Sequence, residues 1–247
     1  FKETAPLEVS SGYPWYKALW AKYVKCCHRK AVQEADLIGV QAKLLTSKVH
    51  KMYSEDLNPI FLPNFIDIPK DNFKKTKNPS VVWLARLDPI KRPELCFKLA
   101  LKMPDVDFYI LGKAHNENRD KTLRSQWKNI GNLHFLGFQS GGVKEQILSK
   151  AWILVNTSIY ECLPVSFLEA LAHKCALLST RNPDGYTNLF GIYIKPNVKA
   201  LVSGLSLLLT NDSWRGLGEK GYEYVKRVHS TEKGVNKHIK VYRELLQ

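Results

Sequence analysis

From position 80 onwards the chain alternates short apolar runs with longer stretches of helical periodicity. The apolar runs fall at 81–84, 107–111, 133–138, 152–156, 176–179 and 191–194. Helical stretches fall between and after them, at 92–102, 119–128, 143–150, 164–174 and 198–209. Continuous apolar strands separated by helices predict a parallel sheet covered on both faces. That is an α/β, doubly wound, Rossmann-like architecture. Ligands of such sheets bind at the carboxyl ends of the strands, so candidate chemistry is sought just after each strand.

The first 62 residues read differently. Tyr16, Leu19, Trp20, Tyr23 and Cys27 recur at helical spacing and predict an amphipathic helix over 13–31. An apolar strand at 37–40, a helix at 46–53, a short run at 60–62 and the turn Pro63-Asn64 follow. The polar, lysine-rich stretch 68–80 reads as a linker or as the first loop of a domain.

With 247 residues the chain buries enough surface to fold without disulfides or metal. Its 45% hydrophobic and 24% charged residues exclude a disordered, collagenous or coiled-coil chain. A net charge of +14 favours anionic partners, whether nucleic acid, anionic lipid or phosphorylated small molecules. No recognised nucleic-acid motif accompanies it, and none is expected to bind. The five cysteines are odd in number and lack ligand spacing, which suits a reduced, cytoplasmic setting. Cys26-Cys27-His28 is no metal site, because neighbours on a helix point apart. No run of eighteen apolar residues is present. The helix over 13–31 carries Trp15, Trp20 and Tyr23 among five cations. It suits either packing on a further domain or peripheral contact with an anionic membrane face.

Three strand ends carry candidate chemistry. After the first comes a tight turn flanked by Arg86 and Lys91, a combination able to hold a phosphate. After the second comes Gly112, which permits close backbone approach, whereas a dinucleotide fingerprint needs three glycines. After the fourth comes the segment from Asn156 to Ala170, with Glu161 in its loop and Pro164 at a helix start. Glu169 is expected near the N-terminal end of that helix. Carboxylate acceptors for hydroxyls beside donors for phosphate describe a nucleotide-sugar pocket. Equally, Glu161 reads as a loop charge and Glu169 as a surface or capping carboxylate.

In these motifs the chain resembles the retaining glycosyltransferases of family 4, which have the GT-B architecture of two facing Rossmann domains. Glu161, Pro164 and Glu169 match the signature of two glutamates seven residues apart, and Ser158 fits ahead of it. The turn from Arg86 to Lys91, the segment from Pro63 to Asp67 and the segment from Asn132 to Phe138 also fit. The resemblance covers about residues 60–247.

It implies sugar transfer from a nucleotide-sugar, UDP- or GDP-linked, to an acceptor glycan or lipid-linked glycan, with retention at the anomeric carbon. The transfer is of hexosyl type, needs no metal, and uses no cofactor beyond the donor substrate. Arg86 and Lys91 are implied to neutralise the diphosphate, Glu161 to bind a donor-sugar hydroxyl and Glu169 the ribose. Gly112, Ser158 and the backbone of Cys162, Leu163 and Pro164 are implied to contact the donor, and Phe138 to lie beside the base. Residues 1–62 are implied to be the end of an acceptor-side domain, 63–230 the donor domain, and 231–247 a helix crossing back. About a hundred residues of the first domain are then absent, so the chain reads as a fragment. The alternative is a donor-binding or degenerate module that needs a partner subunit. The implied location is cytoplasmic, at the face of a membrane if the acceptor is lipid-linked.

Four departures stand out: Cys162 replaces a glycine, Ala114 a second glycine, and Lys174-Cys175 a Gly-Pro pair. The usual Gly-Gly-x-x-Glu segment appears only as the stretch from Asn182 to Asn188. Asp105-Val106-Asp107, which resembles a metal-binding pair, precedes its strand and reads as a turn.

Overall fold

The computed structural model describes residues 15–70 and 73–247. The chain begins with helix α1 (Trp15–Gln33), strand β1 (Gly39–Val40), helix α2 (Leu44–Met52) and strand β2 (Ile60–Phe61). Positions 13 and 14 of the helix expected there lie outside the described residues. β1 and β2 form a small parallel sheet of their own. The apolar stripe of α1 exists but is uncovered: Tyr16, Leu19, Trp20 and Tyr23 are all exposed. Among the described residues no helix is long and apolar enough to cross a membrane.

Six parallel strands follow, with helices between them. They are β3 (Ser80–Leu84), α3 (Pro93–Lys102), β4 (Asp107–Leu111), α4 (Glu117–Trp127), β5 (Leu133–Gly137), α5 (Gly141–Lys150) and β6 (Ile153–Asn156). Next come α6 (Val165–Ala172), β7 (Ala176–Ser179), α7 (Tyr186–Phe190), β8 (Gly191–Tyr193), α8 (Val198–Leu209), α9 (Ser213–Val228) and α10 (Thr231–Leu245). The sheet order is β5-β4-β3-β6-β7-β8, as in a doubly wound α/β fold. Successive side chains of a strand face opposite ways. Val81 and Trp83 therefore join a core with Phe97, Phe108 and Trp214, and Val82 joins another with Leu154, Phe167 and Val225. The order reverses between β3 and β6, and a crevice opens at the carboxyl ends of those two strands.

The apolar runs predict the six strands of this sheet to within one residue at each end, whereas β1 starts two residues later than the run at 37–40. Two helices, α7 and α9, have no counterpart in the periodic reading. α9 is amphipathic, but its glycines at 216, 218 and 221 are poor helix formers. Two of them answer a packing demand. A Cβ on Gly218 would lie 2.3 Å from the Lys174 carbonyl oxygen, and one on Gly221 2.4 Å from Leu171. Small residues let α9 lie close against α6. Lys174 itself adopts a left-handed backbone, φ 56°, where a glycine is common.

The stretch over 68–80 is a strap as well as a connection. Lys75 Nζ donates to the carbonyls of Ala151 (2.5 Å) and His173 (2.7 Å) and approaches Cys175 Sγ at 3.6 Å. Burial lowers the Lys75 pKa, partly offset by Cys175. The chain passes between the two sheets beside the end of α9. There Ile66 bridges to Ser230, and Thr231 Oγ1 donates to Asp67 at 2.6 Å. α10 then packs back towards the small sheet, with the His238 ring edge-on to Phe65 and Lys237 over Phe61.

His229 sits at that crossing, fully buried. Its Nδ1–H donates to the Asn64 carbonyl at 2.6 Å, and Nε2 accepts from the Tyr186 hydroxyl at 2.6 Å. Burial lowers its pKa, against the opposing Asn64 carbonyl. Burial also lowers that of His173, partly offset by its bond to the Glu169 carbonyl. In each case the unfolded chain takes up the proton first as pH falls below its ordinary pKa of about 6.5. Stability is therefore constant above that point and declines below it, by up to about 1.4 kcal/mol per pH unit for each histidine. The urea midpoint is expected to be lower at pH 5.5 than at pH 7.5. A flat midpoint over that range would contradict both assignments.

Candidate active site

The crevice holds a cavity of about 550 Å³. Its walls come from the loops after β3, β4 and β5, from α5 and from the start of α6. Arg86, Lys91, Gly112, Phe138, Glu161, Pro164 and Glu169 all line it. A sheet of this topology brings together residues up to 83 positions apart in the sequence, from Arg86 to Glu169.

The turn after β3 is built around Pro89, which sets a short 3-10 segment ending at Lys91. Arg92 then takes a left-handed backbone, φ 46°, before Pro93 opens α3. Its guanidinium donates to the carbonyls of Thr157 (2.7 Å) and Ser158 (2.9 Å) and to Thr180 Oγ1 (3.0 Å). Burial and the nearby Arg181 lower its pKa. Arg92 thus ties the β3 turn to the loop after β6, a role without a signal in the sequence. The Arg86 side chain is 64% exposed, with Nε 3.3 Å from Asp88.

Lys91 Nζ lies 2.5 Å from Glu161 Oε1, and the Glu161 side chain is only 9% exposed. Ser158 Oγ (2.5 Å) and Asn156 Nδ2 (3.2 Å) donate to the same oxygen. Glu161 is therefore a held carboxylate rather than a free loop charge. Ser158 is buried, does not line the cavity, and spends its hydroxyl on Glu161. Its hydroxyl thus supports Glu161 from behind.

Gly112 has φ 151°, and a Cβ there would lie 1.8 Å from the Ala85 carbonyl oxygen. A close approach to the β3 strand end by itself demands glycine here. Beyond it, the Ala114 amide donates to Asp120 Oδ1 at 2.7 Å. Although burial opposes it, the Arg124 and Ala114 hydrogen bonds lower the Asp120 pKa. Phe138 follows β5 and is 70% exposed.

Glu169 is the fifth of eight residues in α6, in its second turn. Lys144 of α5 lies 2.5 Å from its Oε1. Lys144 escapes sequence analysis because the partner is on another helix. Pro164 immediately precedes α6, at φ −69°. Leu163 is buried, and Cys162 faces an adjoining, larger cleft, which Arg86, Lys91 and Glu161 share. In that cleft Tyr160 hydrogen-bonds Lys48 of α2, which also sits over its ring. From the segment that replaces Gly-Gly-x-x-Glu, Asp184 accepts from the amides of Lys43 (2.7 Å) and Leu44 (2.8 Å). It thereby joins the β7 side of the sheet to α2.

Among the described residues no three His, Cys, Asp or Glu side chains are grouped to hold a metal. Asp107 opens β4 at the far end from the cavity and pairs with His134 at 2.9 Å.

The six-stranded parallel sheet with its crevice at the switch point is the C-terminal half of a GT-B glycosyltransferase fold. Residues 64–227 match the family model described as glycosyl transferases group 1, and the chain belongs to that family. The structure is similar to sucrose-phosphate synthase from Thermosynechococcus elongatus, with a TM-score of 0.79 at 18% identity over 91% of this chain and 62% of that one. It is similar to S. aureus TarM in complex with Fondaparinux, alpha-GlcNAc-glycerol and UDP, with a TM-score of 0.73 at 19% identity over 90% and 46%. It is also similar to Anabaena HepE in complex with UDP-glucose, with a TM-score of 0.71 at 16% identity over 87% and 65%. At these identities the likeness is one of fold. The chain spans less than two thirds of each of these structures. No curated protein matches the chain.

Proposed function

We propose that this chain provides the donor site of a retaining, family 4-type glycosyltransferase that moves a hexose from a UDP-sugar to an acceptor glycan, free or lipid-linked. The observation that carries this reading is the convergence of Arg86 and Lys91 with the carboxylates of Glu161 and Glu169 on one cavity at the switch point. Residues 1–62 belong to the acceptor-side domain, 63–230 form the donor domain, and 231–247 return to the first.

In this reading the diphosphate lies between Arg86 and Lys91. Glu169 accepts the ribose hydroxyls, and Glu161, its Oε1 fixed by three donors, accepts a hydroxyl of the sugar. Phe138 flanks the base. The bond from the anomeric carbon to the diphosphate oxygen breaks while the acceptor oxygen bonds to that carbon. The acceptor proton passes to the leaving phosphate, so the new bond forms on the face the leaving group vacates. Arg86 and Lys91 stabilise the charge that develops on the leaving oxygen, a task for which cations suffice without a metal. The neighbouring structures in complex with UDP or UDP-glucose favour uridine over the other bases.

Thermal unfolding with UDP, GDP, ADP and their sugar conjugates at millimolar concentration tests this. A ligand at a hundred times its Kd adds about 2.7 kcal/mol. A rise in Tm with the uridine compounds, lost in Glu169→Ala, is expected. No rise with any of them would overturn the donor-site reading.

A further inference from the structure

We propose that Lys144 is a positioning residue for Glu169, and that through it the site distinguishes ribonucleotides from deoxyribonucleotides. This rests on the reading of Glu169 as the carboxylate that accepts the ribose hydroxyls.

Glu169 stands on a helix that offers it no partner. The other residues of α6 are Val165, Ser166, Phe167, Leu168, Ala170, Leu171 and Ala172, none of them a cation. One turn later His173 turns its Nδ1 to the Glu169 backbone carbonyl, at 2.7 Å, and so does not serve the carboxylate. The bond from Lys144 Nζ to Oε1 is the hydrogen bond that the described residues supply to this carboxylate. Both side chains are largely buried, at 24% and 21% exposure, so water screens the pair less than it would on the surface. Both also line the cavity.

Two consequences follow from elementary chemistry. A carboxylate accepts about four hydrogen bonds, and Lys144 uses one of them, on Oε1. Oε2 is left for a hydroxyl, and the carboxylate plane is held. The vicinal hydroxyls of a ribose can meet both oxygens only when that plane is fixed, whereas a carboxylate free to rotate gains less from the second hydroxyl. The ammonium also cancels a negative charge that would otherwise repel a diphosphate bound in the same cavity. Lys144 therefore supports binding twice, and the first effect is specific to the ribose.

Isothermal titration of UDP, 2′-deoxy-UDP and 3′-deoxy-UDP tests this in the unmodified chain and in Lys144→Met, Lys144→Arg and Glu169→Gln. The unmodified chain is expected to prefer UDP by about ten- to a hundredfold, the range for a hydrogen bond to a charged group. In Lys144→Met the preference should fall to about threefold or less, with the Tm of the ligand-free protein little changed, and Lys144→Arg should restore most of it. If Lys144→Met binds UDP more weakly but keeps the full preference, Lys144 contributes only charge or packing and the proposal is overturned. If Glu169→Gln loses the preference while Lys144→Met retains it, the Glu169 reading stands and the proposal alone fails. If Glu169→Gln itself keeps the preference, the ribose is held elsewhere and both fail.

Discussion

Lys91→Met is expected to lower the turnover of nucleotide-sugar by about a hundred- to a thousandfold, the range for removing one preorganised group from a developing charge. The Lys91 side chain is only 21% exposed, and its ammonium lies 2.5 Å from Glu161 Oε1. It reaches the cavity from the short turn that Pro89 sets and that Arg92 ties to the loop after β6. In the proposed reaction charge grows on the diphosphate as the glycosidic bond breaks, so kcat should fall more than KM rises. Release of UDP from the UDP-sugar measures both. A rise in KM with unchanged kcat would mean that Lys91 holds only the ground state. The partner tests the pairing. Because Lys91 and Glu161 act as a unit, Lys91→Met combined with Glu161→Gln should cost little more than the worse single change. Additive losses would show that the ion pair is incidental to turnover.

Gly112→Ala is expected to destabilise the fold by several kcal/mol, on the order of 4. The added Cβ would lie 1.8 Å from the carbonyl oxygen of Ala85. Neither side can yield cheaply. The Ala85 amide bonds the Leu111 carbonyl and the Gly112 amide bonds the Gly137 carbonyl, so three strand ends are locked together here. The φ of 151° adds a backbone cost that alanine bears and glycine does not. Gly142→Ala is the control. It lies in the first turn of α5 with nothing within 4 Å of the new Cβ, and alanine there should be neutral or stabilising by up to about 1 kcal/mol. Urea midpoints of the two variants decide the matter. A Gly112→Ala midpoint equal to that of Gly142→Ala would mean that the strand ends are loose.

The two effects show where sequence reasoning reaches and where it stops. Lys91 is legible because a cation after an apolar run, at the start of a helix, is a local pattern. Gly112 is legible as a glycine after a strand, but its reason is not, because the atom that excludes a side chain belongs to Ala85, 27 residues earlier. Ser158 stands at the expected place in the motif yet behind Glu161, because the loop after β6 turns its hydroxyl inward. The helix α9 is hidden for a related cause. Its glycines lower its helix propensity, and at two of them a side chain would meet Lys174 or Leu171.

By itself the sequence determined the six strands of the large sheet, most of the helices between them, the parallel doubly wound class and the residues at the strand ends. Those follow from hydrophobic periodicity and short-range backbone preference, which act over a few residues. Only the tertiary structure decided which charges pair. Lys91 with Glu161, Lys144 with Glu169 and Asp184 with the amides of α2 join residues 25 to 141 positions apart. Such pairs depend on the reversal of strand order between β3 and β6 and on the packing of helices around it. The direction of a side chain across that crevice is set by neighbours distant in sequence, and no local pattern records it.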